Sequence, residues 1–238
     1  MQDTVRDALR AAGFERNPVP AGRTDLGVHA RMQVLSLRVV EGVSAEEVAP
    51  RLAAHLPPTV GLVSSRPAKP KFHAAWTASG KEYRYRLALG EVPGWTQVSW
   101  RVDARPELVG EALARQVGTR NFISFHDSSS AQKPRTVRSA TLHELGGGLF
   151  EVRVRGDGFA RYMVRYLVGS AIGVARGEIS GEAYTAALEQ AVPLYRIKAP
   201  AAGLVLWEVF YPDAMDPFSA EDRRSPRGLP GAPPFTLP

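Results

Sequence analysis

Lys81-Glu-Tyr-Arg-Tyr-Arg-Leu-Ala-Leu89 alternates along its length: Tyr83, Tyr85, Leu87 and Leu89 share one face, Glu82, Arg84 and Arg86 the other. Side chains of a strand point to opposite faces with a period of two, so the segment predicts a strand with an aromatic and aliphatic face. Two readings of its faces stand on pattern alone. The aromatics can be buried under a solvated charged face, or they can stack on bases while the arginines meet phosphate.

The segments before this strand predict a mixture of elements. Residues 4–12 place Val5, Ala8, Leu9 and Ala12 on one helical face, with Gly13 as a stop signal. Gln33 to Val39 alternates like a half-buried strand. Ser44-Ala-Glu-Glu47 has the spacing of a capping box, opening a helix through Val48, Leu52 and Leu56 that Pro57-Pro58 ends. Val60–Val63 is a short strand candidate.

Downstream, residues 90–105 read as a connection between two halves. A helix is expected over 106–117, a polar loop over 126–136, and strands over 137–145 and 149–156 around Gly146-Gly-Gly148, a hairpin signal. Helices at 160–175 and 181–191 and a strand from Leu204 to Tyr211 follow. This order lacks the regular alternation of a doubly wound parallel sheet. It predicts an α+β chain of two sheet-and-helix units, residues 1–92 and 93–212. The Pro-rich tail, 213–238, has no periodicity and is expected to be mobile.

Composition narrows the chemistry. The 238 residues are 44% apolar and 23% charged, ordinary globular values, and contain no Cys. That excludes thiol nucleophiles, thiolate metal sites and disulfides. The longest charge-free apolar stretch, Tyr166 to Ala175, is half a membrane span, and the N-terminus has no apolar signal core, so a cytoplasmic protein is expected. Net charge is +6, and 25 of the 30 basic residues are Arg. Arg suits phosphate and base stacking, but a GC-rich genome produces the same bias.

The densest polar constellation is Arg23-Thr24-Asp25-Leu26-Gly27-Val28-His29. Glycines on both sides let Asp25 project from a tight loop beside a strand. A guanidinium within hydrogen-bonding distance would keep it ionised for work as nucleophile or base. The other reading is an ordinary turn in which Asp25 bonds its own backbone, and turn frequencies favour it. The five histidines show no metal-ligand spacing, although Asp25 and His29 leave a metal-dependent phosphodiesterase as an alternative. No Walker loop or dinucleotide fingerprint is present. Arg161 and Arg165, four apart on a helix, repel slightly, which suits an anionic partner, although a solvated face is the ordinary reading.

Taken together, these segments resemble the TruA family of tRNA pseudouridine synthases. Ala-Gly-Arg-Thr-Asp-Leu-Gly-Val-His-Ala (21–30) is similar to the family's catalytic motif, and Phe72 through Tyr85 to its second. Asn121-Phe-Ile-Ser-Phe125, Thr136-Val-Arg138, Gly158 through Ser170, and Ala199 through Pro212 resemble the remaining motifs in order. The resemblance implies two RRM-like units sharing a continuous, mostly antiparallel sheet, with the active cleft between them. It implies a homodimer that isomerises uridine to pseudouridine at positions 38, 39 and/or 40 of the tRNA anticodon stem-loop, without cofactor or metal. It assigns the catalytic carboxylate to Asp25. Arg23 would hold the target nucleotide out of the stack, Tyr83 stack on the uracil, Arg165 pair with the carboxylate, and Leu204 line the pocket.

Four departures from the family pattern carry expectations. The family's usual first strand, with a Tyr-Asp-Gly motif, is not seen before the first helix, which predicts a gap in the first sheet and an open cleft wall. An inactive RNA-binding protein that keeps the fold is the alternative this raises. Leu26 replaces the usual Ala and is expected to alter pocket packing. Tyr162 stands where His is common, and the tail is extra.

Overall fold

The computed structural model describes residues 2–224 together with Phe235. In chain order the strands are β1 (Val19–Pro20), β2 (His29–Ala30), β3 (Leu35–Ser36), β4 (Gly80–Ala88), β5 (Trp100–Arg101), β6 (Gly118–Arg120), β7 (Arg135–Gly146), β8 (Leu149–Gly156) and β9 (Leu204–Phe210). The α-helices are α1 (Gln2–Ala11), α2 (Ala45–Ala53), α3 (Pro106–Ala114), α4 (Met163–Ala175), α5 (Gly181–Glu189) and α6 (Ala220–Arg224). Seven strands form one sheet in the order β2-β9-β4-β8-β7-β6, with β5 on the end of β4. All pairings but two are antiparallel; β2 runs parallel to β9, and β5 to β4. The α+β class and the mostly antiparallel sheet built from both halves are as expected.

The alternating segment is the middle of this sheet. β4 pairs with β8 from Lys81↔Gly156 to Ala88↔Leu149 and with β9 from Gly80↔Phe210 to Tyr85↔Leu204. Its Tyr85 and Leu87 belong to one buried cluster with Val152 and Val154 of β8, Leu113 of α3 and Leu167 of α4. Three consecutive glycines with positive φ, Gly146 to Gly148, make the turn between β7 and β8, a backbone conformation that costs a glycine little.

The second face of β4 departs from a solvated charged surface. Arg86 and Glu151 are fully buried and paired with each other. Glu151 also takes Arg84 at 3.3 Å and Arg153 at 2.5 Å. The 90–105 connection covers this face, bringing Trp95 to 5.5 Å from the Arg86 guanidinium, while Trp207 lies 3.7 Å from that of Arg84. Burial, helped by the neighbouring Arg84 and Arg153, lowers the Arg86 pKa to about 10. A buried pair of this kind is tolerated because each charge supplies the other's solvation.

The first half is thinner. α1 and α2 share a separate small core around Leu9, Phe14 and Leu52. The capping box at α2 forms with both of its bonds, Ser44 with Glu47 in each direction. The expected strand over 33–39 shrinks to the two residues of β3, paired only with β1, and Val60–Val63 is not a strand. β2 and β4 are the strands of this half that join the main sheet. A cavity of about 1790 Å³ is bounded by Leu9, Val48, Leu52, Val34 and Leu62 and reaches Asp25.

The mobile tail needs correction for residues 213–224. α6 folds back, its Asp222 taking both Arg66 Nη2 at 2.8 Å and Nε at 3.1 Å, while Arg223 pairs with Glu208 and Asp216. Arg66, ahead of the bonds from Ser219, holds the Asp222 carboxyl near pKa 2. Arg66 and Asp222 are 156 apart in sequence, so no local pattern announces their pair. The rest of the tail, Phe235 apart, lies outside the described residues.

Candidate active site

Asp25 stands on a loop that is tied down at its root. Ala21 N–H donates to Val34 O at 2.8 Å; Lys81 Nζ donates to Ala21 O at 2.8 Å and Gln33 Nε2 to Gly22 O at 2.7 Å. The loop then turns, with Val28 N–H donating to Asp25 O at 3.1 Å and Gly27 at φ +82°. A positive φ at the third residue of a turn is the reason for glycine there. So Asp25 does open a turn, as the commoner reading had it, and its side chain is still free for a partner.

That partner is Arg165. Its Nη1 lies 3.4 Å from Asp25 Oδ2, the two side chains being 11% and 24% exposed. Arg165 is held from behind, Nε donating to Ala199 O at 2.7 Å. The strap 197–199 runs close against α4 because residue 169, one turn beyond Arg165, is glycine; a Cβ there would sit 1.9 Å from Ile197 O.

Tyr83 completes the group. Its ring is 8% exposed and meets the edge of Phe159 at 5.3 Å between centroids. Burial first, and then the Asp25 charge, push its phenol well above the ordinary value, so it stays a neutral hydroxyl. Leu204 is buried opposite Tyr85 in the β4–β9 register, and Tyr85 donates its hydroxyl to Pro200 O at 2.8 Å. Arg23 is exposed on the Asp25 loop. The structure thus brings Asp25, Arg165 and Tyr83 together, with Leu204 buried on the neighbouring strand β9 and Arg23 exposed on the Asp25 loop.

Leu26 is a correction. It borders the cavity with Arg23 and Asp25, but at 99% exposed it is packed against none of its walls. His29 serves the sheet, paired in register with Val205 and edge-on to Phe235 at 6.2 Å. Burial lowers its pKa despite a bond to the Ala202 backbone. Among the described residues no group of three His, Asp or Glu side chains could hold a metal, and no helix is long and apolar enough to cross a membrane.

Sequence reading noted Tyr162 only as standing where His is common, and did not foresee its cation contacts. It caps α4 in the left-handed conformation, φ 62°, rare for a residue with a side chain. Its ring lies under three cations: Lys198 Nζ at 4.4 Å, Arg161 Cζ at 4.7 Å and Arg165 Cζ at 5.5 Å. A ring face attracts cations, so Tyr162 lets Arg161 and Arg165 stand near one another. The two arginines four apart were the signal; the ring between them was not legible from spacing.

The site thus sets a loop carboxylate against a helix guanidinium, beside a buried tyrosine on the central strand of a mixed sheet. A family model described as tRNA pseudouridine synthase matches residues 112–212. The chain is 33% identical over 229 residues to tRNA pseudouridine synthase A of Neisseria gonorrhoeae, covering 90% of this chain and 83% of that protein. It is 34% identical over 227 residues to the Roseiflexus castenholzii protein of the same name, covering 88% and 83%, and 32% identical over 196 residues to that of Chlorobium chlorochromatii, covering 80% of each. The chain belongs to the TruA family of tRNA pseudouridine synthases.

Proposed function

We propose that this chain isomerises uridine to pseudouridine at positions 38, 39 and/or 40 of the tRNA anticodon stem-loop. The N1–C1′ bond breaks, the freed uracil turns, and C5 bonds to C1′. C5 gives up its proton and N1 gains one, so atoms and electrons balance without an oxidant, reductant or energy donor. Asp25 is the catalytic carboxylate, either attacking C1′ or removing the C2′ proton. Arg165 orients it, and the anchor on Ala199 fixes Arg165 in turn. Tyr83 offers a ring for the uracil to stack on, with Leu204 in the pocket wall. Arg23 grips the backbone of the extruded nucleotide, which offsets part of the few kcal/mol that extrusion costs.

The substrate is tRNA, held chiefly through its phosphates by the excess arginine. The working form is a homodimer in the cytoplasm, in which basic surface from both subunits cradles one tRNA.

The 3.4 Å contact between Asp25 and Arg165, made between residues 140 apart in sequence, is the observation that carries this reading. Its test is Asp25→Asn, which keeps the shape and removes the charge. Pseudouridine in a synthetic anticodon stem-loop, scored by carbodiimide-dependent primer-extension stops, should be abolished while tRNA affinity stays within about threefold, under half of a tenfold change worth ~1.4 kcal/mol. Turnover by the variant would refute the assignment of Asp25. A wild-type chain that binds tRNA without turnover would instead favour an inactive RNA-binding protein.

A further inference from the structure

We propose, resting on the uridine-isomerase reading above, that Leu26 is a wedge that enters the base stack where the target uridine leaves it, and so fits this chain to uridines paired in the stem. Among the described residues Leu26 has the greatest exposure of the large apolar side chains left in solvent, 99% against 86% for Trp76. Single exposed apolar residues are ordinary on a protein surface; the setting of this one is not. It follows Asp25 directly, so its Cα lies one peptide, about 3.8 Å, from that of the reacting carboxylate.

The backbone gives Leu26 little freedom to fold inward. The turn is closed from Val28 N–H to Asp25 O, Gly27 is set at φ +82° against Ala201, and the loop root is held by Lys81 and Gln33. Leu26 also borders the same cavity as Arg23 and Asp25. The loop therefore presents a cation, a carboxylate and an apolar tip within four residues. The cation suits a phosphate and the carboxylate the ribose. An apolar tip has no partner on the RNA exterior, but it has one between bases: side chains such as Leu insert at base steps and partly unstack them. Extrusion of a paired uridine leaves such a gap, and filling it removes the leucine from water.

Leu26→Ala, Leu26→Asn and Leu26→Met should be compared with wild type on two anticodon stem-loop RNAs. One carries the target uridine paired to adenosine in the stem; in the other a cytidine replaces that adenosine, so the uridine is already unpaired. Ala and Asn should lower kcat/KM about tenfold on the paired RNA and stay within about twofold on the mismatched one, whereas Met should stay within about threefold on both. Melting temperatures should not move, because the side chain packs against nothing. No loss on the paired RNA, or an equal loss on both RNAs, would overturn the wedge. If the wild type modifies neither RNA, the uridine-isomerase reading falls and the wedge with it; active wild type with indifferent variants removes the wedge alone.

Discussion

Gly169→Ala should damage the site from behind. A Cβ on residue 169 would lie 1.9 Å from Ile197 O, 2.7 Å from Ile197 C and 3.1 Å from Ala199 N. Ordinary contact starts at 3.4 Å, so the strap must retreat by about 1.5 Å, the difference of 3.4 and 1.9. The atoms met are backbone, which cannot swing aside like a side-chain tip. Overpacking of this kind costs roughly 1–3 kcal/mol. Alanine returns about 1 kcal/mol in helix propensity. Loss of the Ala199 acceptor leaves part of the Arg165 guanidinium unsatisfied, at about 1–3 kcal/mol more. A net loss of about 1–5 kcal/mol lowers Tm by roughly 2–20 °C in a chain of this size. Activity should fall further than stability, because the strap carries both Ala199 O, which anchors Arg165, and Pro200 O, which anchors Tyr85. A misplacement near 1 Å costs on the order of a hundredfold in rate. Gly110→Ala is the control, also inside a helix but with nothing within 4 Å of the added Cβ; it should raise Tm slightly. Calorimetry and initial rates on an anticodon stem-loop decide the matter. Should Gly169→Ala stabilise as Gly110→Ala does and keep its rate, the supposed dependence of Arg165 on the strap is wrong.

Glu151→Gln leaves Arg86 buried beside two other arginines without its carboxylate and should cost about 3–5 kcal/mol by urea denaturation. Adding Arg86→Met should restore most of that loss, and no recovery in the double variant would show that the pair is not coupled. Burial holds the His29 pKa below its ordinary 6.5, so the unfolded chain takes a proton more readily than the folded one as pH falls below 6.5. The contribution of neutral His29 is complete above that pH and disappears on acidification through the folded value. His29→Gln should therefore lose less Tm than wild type between pH 7.5 and 5, and parallel Tm curves would contradict the linkage.

The second half was legible because local signals and tertiary contacts agree there. Gly146 to Gly148 turn the hairpin, the alternating faces of β4 and β8 find one core, and Ser180 caps α5 where that helix was expected to begin. The first half was legible in its helices and in β4, but not in its other strands. The alternation from Gln33 to Val39 is real, but a strand needs a neighbour for its backbone groups, and β1 supplies two residues of one. Period-two patterning says which side chains share a face, not what covers that face; hence Arg86, on a face read as solvated or meeting phosphate, proved buried against Glu151. In the site, Asp25 and Arg23 stood out by their glycine-flanked loop. The pairing of Asp25 with Arg165 came from resemblance alone, since no spacing rule joins residues 140 apart. Leu26 needed its exposure to be seen, because sequence assigns an apolar residue beside a pocket to the pocket.

The two members of the central pair are supported unequally, and this shapes what the site can do. Arg165 sits in the first turns of a buried helix, with a backbone acceptor behind it and a sheet of long strands below. Asp25 is carried by a loop whose neighbouring strands are two residues long and which borders a cavity of about 1790 Å³. Loops of that kind open at small cost, whereas a packed core opens only near the global unfolding free energy. The guanidinium is therefore the fixed reference, and the carboxylate is brought to it by the bonds from Lys81 and Gln33. In the proposed reaction an extruded nucleotide would pass between the Asp25 loop and α4 to reach Tyr83, beside the less buttressed member of the pair.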